Sequence, residues 1–221
     1  MAFEYNALML PTISRPPRTA DDIAQGARLA KMAKRDIGPA EVAGVLNRAK
    51  LKYVLVGAHA ANGYLGRPRN TVDVDVIVQF PKKASAVVAL AFPDLKMVDT
   101  AVVVRFKRAD GEEAIDLMKP VGSPLWRELL KIAVPVNVEG TVIRIPPLEG
   151  VLAAKFSAMA SPHRRLADKM IDGGDFMRIV ESNASINEDL LEGLGNLVYA
   201  GGGKEILKLV ADARAGRRLE F

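Results

Sequence analysis

The 221-residue sequence contains no cysteine and only two histidines. A disulfide framework, a zinc-thiolate site and a thiol nucleophile are therefore excluded, and a histidine-rich metal site is not expected. Aromatic residues make up only 5% of the chain, which argues mildly against readout of single-stranded nucleic acid by base stacking. No apolar run is long enough to span a bilayer, and the first 18 residues lack the pattern of a signal peptide. We expect a cytoplasmic protein with no membrane partner.

Hydrophobic residues make up 49% of the chain, and the formal net charge is +5. The apolar content is enough for one ordinary core with a small appended lobe. The mild positive charge is compatible with a polyanionic substrate, but many proteins with no nucleic-acid role share it. Composition therefore leaves the function open.

The pattern of apolar residues divides the chain into three parts. Residues 1–36 are predicted to form an arm and then an amphipathic helix, which opens at the capping-box sequence TADD. Residues 37–146 mix helical patterns with strand patterns in KYVLVGA, TVDVDVIV, AVVVRFK, EEAIDLM and TVIRI. Residues 147–221 show helical patterns only. The predicted fold class is α+β, with an α/β domain followed by a C-terminal helical region.

Asp73 and Asp75 lie two positions apart in the strand-like segment TVDVDVIV. Strand alternation puts the valines on the core face and both aspartates on the other, with Cα atoms about 6.5–7 Å apart. Carboxylates this close repel, and without a counter-ion one of them would stay protonated at neutral pH. Mg²⁺ is typically held by one or two carboxylates plus substrate phosphates. Asp-x-Asp alone is a weak signal, because a solvated face of an edge strand has the same pattern.

Three neighbouring features favour a metal and phosphate site over a solvated strand face. A predicted strand ends at Gly57-Ala58 and a short helix follows, and amides at such a turn favour phosphate. Arg67 and Arg69 precede the aspartates, and guanidinium groups bind phosphate bidentately. Asp116 is an isolated carboxylate in AIDLM and would join the site if that strand pairs near the first. Each feature also has an ordinary explanation: a plain turn, a solvated loop or an exposed strand residue.

Together these segments resemble the nucleotidyltransferase superfamily with the DNA polymerase β-like fold. The superfamily pattern is a strand, a Gly-Gly or Gly-Ser turn, a short helix, a strand with Asp-x-Asp, and a third acid on a later strand. Here the matching segments are LVGAHAANGYLGRPRNTVDVDVIV and AIDLM, within roughly residues 40–120. The chain is most similar to minimal nucleotidyltransferases and AbiEii-like toxins. The resemblance implies a mixed β-sheet flanked by helices.

The resemblance also implies an activity and a set of site residues. A nucleoside monophosphate would pass from an NTP to a hydroxyl acceptor, with Mg²⁺ or Mn²⁺ as cofactor. The implied catalytic and metal-binding residues are Asp73, Asp75 and Asp116. The implied nucleotide-binding residues are Gly57, Ala58, Arg67, Arg69, Thr71 and Lys155.

Two of these residues carry an alternative interpretation. Lys155 lies in the apolar stripe of LEGVLAAKFSAM, where a lysine that extends to the helix edge would give the same pattern. Ala58 stands where the superfamily usually has a second glycine or a serine, so a hydroxyl contact to phosphate is lost. Ala58 is the one feature that favours a catalytically degenerate binding or regulatory module.

The acceptor and the biological role are open at this level. Candidate acceptors are RNA ends such as tRNA, a protein hydroxyl, and a small alcohol such as an aminoglycoside. The basic segments SPHRRLADK and ARAGRR would suit an RNA backbone, but solvated helix faces explain them equally well. Action as a toxin with an antitoxin or other protein partner is a biological role for the same chemistry.

Overall fold

The computed structural model describes residues 19–32 and 37–220, and within them the chain forms nine helices and seven strands. The helices are α1 (Thr19–Met32), α2 (Pro39–Arg48), α3 (Gly57–Asn62), α4 (Pro81–Ala91), α5 (Pro124–Ile132), α6 (Leu148–Ala160), α7 (Leu166–Ser182), α8 (Glu188–Asn196) and α9 (Gly202–Arg214). The strands are β1 (Tyr53–Leu55), β2 (Val74–Val78), β3 (Lys96–Asp99), β4 (Val103–Lys107), β5 (Glu113–Met118), β6 (Val134–Val138) and β7 (Thr141–Ile145). The predicted arm, residues 1–18, lies outside the described residues.

Five of the strands form a mixed sheet in the order β1-β2-β5-β4-β3. The central pair, β2 and β5, is parallel, and the other neighbours are antiparallel. The strands β6 and β7 form a separate hairpin. From α6 onwards the described chain is helical. The predicted α+β class, with a mixed sheet, flanking helices and a C-terminal helical region, is confirmed.

The strand β2 is a central strand rather than an edge strand, because it pairs with β1 on one side and β5 on the other. Val74, Val76, Ile77 and Val78 are each at most 1% exposed. Asp75 is the only residue of this strand that keeps partial access to solvent. Contact with solvent would explain a carboxylate on an exposed edge strand. It does not explain one in a central strand, so Asp75 calls for a functional explanation.

Asp73 lies just before β2, not within it as the alternation pattern predicted, since the strand begins at Val74. The Thr71 hydroxyl donates a hydrogen bond to the Asp73 carboxylate at 2.8 Å. A short polar side chain that bonds a neighbour in this way competes with ladder pairing. Asp73 therefore approaches the site from a loop, while Asp75 approaches from the sheet.

Two elements were not predicted. The helix α5 begins with Pro124 and has Ser123 as its N-cap, whose hydroxyl accepts a hydrogen bond from the Trp126 amide at 3.2 Å. The edge strand β3 has the sequence KMVD and is mostly exposed, so it lacks the apolar alternation that marks a strand.

The apolar core is one continuous cluster that draws on α1, the sheet and the C-terminal helices. It includes Ile23, Val76, Phe106, Phe156 and Phe176. The predicted boundaries at residues 36/37 and 146/147 stay predictions. Among the described residues, no helix combines the length and apolar character needed to cross a bilayer.

Candidate active site

The parallel pairing of β2 with β5 places Asp75 directly opposite Asp116. Neighbouring strands lie about 4.8 Å apart, and paired residues point to the same face of the sheet. Asp73 lies one residue before the same strand, and its negative charge raises the pKa of both other aspartates. The structure therefore brings Asp73, Asp75 and Asp116 into one cluster of carboxylates.

Both strand aspartates hold their protons more tightly than an ordinary carboxyl group. The pKa of Asp75 is raised to about 8 by burial and then by the charges of Asp73 and Asp116, with Lys155 and Arg164 acting in the opposite direction. Burial, followed by nearby acidic groups, raises the pKa of Asp116 to about 6. The cluster lacks enough positive charge to keep all its members ionised at neutral pH.

Within the described residues, only one of the two carboxylate oxygens of Asp116 has a hydrogen-bond partner. The residue is 8% exposed, and its Oδ2 accepts a hydrogen bond from the Nε of Arg105 at 3.3 Å. Arg105 lies directly opposite it on β4. Its Oδ1 is buried and has no hydrogen-bond partner among the described residues. An unpartnered buried oxygen costs free energy, so this atom is a candidate ligand for a cation or acceptor for a substrate proton.

Gly57 packs directly against the Asp75 carboxylate. It has φ +63°, and a Cβ at this position would lie 1.9 Å from the Oδ2 of Asp75. The preceding Val56 amide donates to the Asp75 carbonyl oxygen at 2.9 Å, which fixes the turn beside the carboxylate. Both the left-handed backbone and the close approach require glycine here.

The turn leads straight into α3, whose first two residues are Gly57 and Ala58. Its N-cap residue, Val56, provides no side-chain hydrogen bond. The first amides of a helix have no partner inside it, so the start of α3 offers N–H groups next to the carboxylate cluster. The Ala58 side chain itself is buried.

His59, the next residue of α3, is 2% exposed. Burial lowers its pKa to about 4, and its Nδ1 has no hydrogen-bond partner among the described residues. The imidazole is therefore neutral at physiological pH.

Lys155 points into a buried pair of carboxylates on α7. Its Nζ lies 2.9 Å from an oxygen of Asp172 and 2.7 Å from an oxygen of Asp175. Asp175 also accepts a bidentate hydrogen bond from Arg69, with N–O distances of 2.9–3.1 Å. Two predicted nucleotide-binding residues, Lys155 and Arg69, are thus already engaged by aspartates of the chain. Their predicted contact with nucleotide stays a prediction.

The loop before β2 positions the other predicted residues differently. The side-chain amide of Asn62, which is fully buried, accepts from the Arg69 amide at 2.9 Å and donates to its carbonyl oxygen at 3.0 Å. Arg67 is exposed and forms no ion pair with the described part of the chain. Thr71 contacts Asp73. Arg67 is therefore the predicted arginine that remains available to a ligand.

Sequence reasoning missed Asp175, Arg164 and Arg105, and it gave Asp172 only a supporting role. The α7 aspartates carried a usable signal, since Asp168, Asp172 and Asp175 recur at the i, i+4, i+7 spacing of one helix face. Arg105 carried none, because its position opposite Asp116 depends on the pairing of β4 with β5.

The donor atoms of the cluster suit a hard divalent cation. Asp73, Asp75 and Asp116 provide carboxylate oxygens, the ligands that Mg²⁺ prefers, and one buried oxygen lacks a partner. In residues 19–32 and 37–220, no group of three or more His, Asp or Glu side chains is already arranged as a metal site. The carboxylate oxygens are therefore the right type of ligand for Mg²⁺, but the side chains would have to rotate to gather them around one ion.

No protein-family model and no curated protein matches the chain. A nucleotidyltransferase-like antigenic protein from Paracoccidioides brasiliensis is similar in structure, with 17% identity, a TM-score of 0.46, and coverage of 90% of this chain and 95% of that one. ANT(2'')-Ia, in complex with adenylyl-2''-tobramycin, has 14% identity, a TM-score of 0.48, and coverage of 86% and 98%. The lincosamide antibiotic adenylyltransferase LnuA, with lincomycin bound, has 12% identity, a TM-score of 0.44, and coverage of 63% and 92%.

At these identities and TM-scores the similarities carry no argument for the superfamily predicted from the sequence, which stays a prediction. Similarity this low does not carry an activity from one chain to another, because unrelated functions share folds. The predicted closeness to AbiEii-like toxins stays a prediction.

Proposed function

We propose that this protein is a nucleotidyltransferase, dependent on Mg²⁺ or Mn²⁺, that moves a nucleoside monophosphate from an NTP to a hydroxyl acceptor. One observation carries the proposal: Asp75 and Asp116 lie side by side on the central parallel strands and lack the positive charge that would keep both ionised. A metal bound with a nucleotide would provide the missing positive charge. The α-phosphorus of that nucleotide would be the atom that the acceptor hydroxyl attacks.

The three carboxylates would hold the metal. Asp75 and Asp116 reach the cluster from the sheet, and Asp73 reaches it from the loop, where the Thr71 hydroxyl orients it. When bound, the metal would stabilise the charge on the attacking and leaving oxygens of an in-line displacement.

Asp116 is the candidate general base. Arg105 holds its Oδ2, while its Oδ1 is free to accept the proton of the acceptor hydroxyl. A pKa of about 6 leaves the carboxylate largely ionised at neutral pH and close to the range in which a general base works best. The acceptor oxygen would then attack the α-phosphorus, the bond to the β-phosphate would break, and pyrophosphate would leave.

The start of α3 and the loop before β2 would bind the triphosphate. The amides of Gly57 and Ala58 lie next to the carboxylates, and Arg67 is exposed. Lys155 and Arg69 would act through their charge, since aspartates of α7 already hold them. In this division the backbone amides and Arg67 would contact the triphosphate, and the two paired cations would provide electrostatic support.

A transfer assay tests the proposal. The parent protein is incubated with each of four NTPs labelled at the α-phosphate, Mg²⁺ and a cell extract, and the label is followed into protein, RNA and small molecules. The parent should transfer label, and Asp75→Asn and Asp116→Asn should not. The exposed Asp94 provides a matched control, since Asp94→Asn removes one charge away from the cluster. Equal transfer by all four proteins would contradict the proposal.

A second candidate is a nucleotide-binding or regulatory module without catalysis. It is favoured by the engagement of Arg105, Arg69 and Lys155 with carboxylates of the chain itself, which satisfies part of the charge that a substrate would otherwise meet. Such a module would be stabilised thermally by an NTP with Mg²⁺ and would transfer no label. Stabilisation together with transfer would exclude it.

A further inference from the structure

A chain of five charged side chains joins the loop before β2 to α7, in the order Arg69, Asp175, Lys155, Asp172 and Arg164. Lys155 bridges the two aspartates. Arg69 closes one end on Asp175 at 2.9 Å, and Arg164 closes the other on Asp172 at 2.5 Å. We call this set the charge chain. It links the loop before β2 to α6, α7 and the segment 161–165 between those helices.

The charge chain contains three cations and two carboxylates, so its formal charge is 3 − 2 = +1. Its three central members are buried, and the two arginines at its ends retain partial exposure, 28% for Arg69 and 42% for Arg164. A buried charge must be paired, whereas an excess charge at the surface is tolerated. The surplus positive charge of the charge chain therefore lies at its two terminal arginines, where a ligand can reach it.

The two terminal arginines differ in how much of the guanidinium is free. Arg69 uses Nε and one Nη on Asp175, and its other Nη donates to the Asn70 carbonyl oxygen at 3.2 Å. Arg164 uses only its Nε, on Asp172. Neither Nη of Arg164 has a hydrogen-bond partner in the part of the chain that the structure describes. A guanidinium held at Nε with both Nη atoms free presents the fork that binds phosphate bidentately.

Contacts along α7 bring Arg164 toward the active-site cluster. The loop before β2 runs beside this helix, since the Ser182 hydroxyl donates to the Leu65 carbonyl oxygen at 3.1 Å and Arg69 pairs with Asp175 nearer the start of the helix. The loop therefore continues toward Asp73 beside the part of α7 that carries Asp172 and its partner Arg164, and the charge of Arg164 acts to lower the pKa of Asp75. Arg165, the next residue, is more exposed and pairs with a different aspartate. It is 83% exposed and pairs with Asp168 at 2.9 Å, and it is not among the groups that perturb Asp75.

We propose that Arg164, held in place by Asp172, binds the polyphosphate group of the substrate at the carboxylate cluster. This inference rests on the proposed function and makes Arg164 a substrate-contacting arginine in addition to Arg67, with Asp172 as its positioning residue. Arg69, whose fork is filled by Asp175, serves the architecture of the loop instead. The ligand class is a nucleoside triphosphate or another linear polyphosphate.

Calorimetric titration with tripolyphosphate and with each of four NTPs, all in Mg²⁺, tests the inference. Arg164→Gln should weaken binding about tenfold or more, since a charged hydrogen-bond pair is lost. Arg164→Lys should fall between, because it keeps the charge without the fork. Arg165→Gln is the matched control and should bind within about twofold of the parent. Asp172→Asn should raise KM more than it lowers kcat, and Asp168→Asn should change neither.

The outcomes separate this inference from the proposed function. If the parent binds and turns over an NTP while Arg164→Gln and Arg165→Gln bind it equally well, the inference is wrong and the proposed function stands. If the parent neither binds a ligand nor transfers label, both are wrong. Circular dichroism and thermal unfolding of Arg164→Gln show whether the fold is retained, and Arg164→Lys provides the comparison if it is not.

Discussion

Replacing Asp75 by asparagine should abolish nucleotide transfer and also stabilise the metal-free protein at alkaline pH. The pKa of Asp75 is raised to about 8 in the folded chain, against about 3.9 in an unfolded chain. Because the folded state binds this proton more tightly than the unfolded state, the free energy of unfolding decreases as pH rises between the two values. Asparagine has nearly the same shape and cannot ionise, so the variant should lose this decrease.

The size of the effect follows from the titration of this one group. Between pH 6 and pH 8.5 the folded carboxyl changes from almost fully protonated to about three-quarters ionised, while the unfolded carboxyl is ionised throughout. Integration gives a loss of about 2–3 kcal/mol in the free energy of unfolding of the parent. For a chain of this size, the loss corresponds to a decrease in Tm of about 5–10 °C.

The measurement is urea unfolding in EDTA at pH 6 and pH 8.5, with parallel thermal scans. The parent should lose stability between the two pH values, and Asp75→Asn should lose much less. Asp94→Asn should follow the parent, because Asp94 is exposed. Adding Mg²⁺ at pH 8.5 should restore stability to the parent and not to Asp75→Asn. A parent and an Asp75→Asn variant that change identically with pH would refute the reasoning.

Two further pairs of substitutions test the packing around the site. Gly57→Ala adds a Cβ that would lie 1.9 Å from the Asp75 carboxylate, whereas Gly122→Ala has the same positive φ and open space around it. Urea unfolding should show about 1–2 kcal/mol lost for Gly122→Ala, a larger loss for Gly57→Ala, and loss of transfer only for the latter. Asp175→Asn should cost about 1.5–3 kcal/mol, because Arg69 loses its carboxylate partner and Lys155 keeps only Asp172, while Asp168→Asn, at an exposed ion pair, should leave the free energy of unfolding nearly unchanged. Equal losses within either pair would contradict the packing described.

Local pattern was enough to predict the elements that carry the carboxylates. The valines of β2 predicted the core face of a strand, and the isolated Asp116 marked a polar position in another strand, although that position is buried. Gly57, which follows β1 and begins α3, predicted the turn. These predictions succeed because each depends on alternation or turn chemistry within a few residues. The prediction that Asp73 lies within the strand was wrong, because β2 begins at Val74. The hydrogen bond between Asp73 and Thr71 competes with strand pairing, and the alternation of valines gives no sign of that bond.

The partners of the basic residues were beyond the reach of local pattern. Arg69 and Asp175 lie 106 positions apart, and nothing in the sequence near either one indicates the other. Arg105 meets Asp116 only because β4 and β5 pair in one particular register. Charged residues near a predicted site are easily assigned to substrate, and only tertiary structure shows which of them the chain itself has already paired.

Asp75 and Asp175 differ in how far the cations of the chain compensate their burial. Burial acts to raise the pKa of both carboxyls. Lys155 and Arg69 outweigh burial at Asp175 and hold its pKa below the ordinary value. At Asp75, burial and the charges of Asp73 and Asp116 outweigh Lys155 and Arg164, and its pKa is raised to about 8. Burial alone therefore does not explain the unneutralised cluster, because the same chain neutralises an equally acidic residue on α7. A cation that binds Asp75 recovers the free energy that ionisation costs, so metal affinity should increase with pH up to about 8 and then level off.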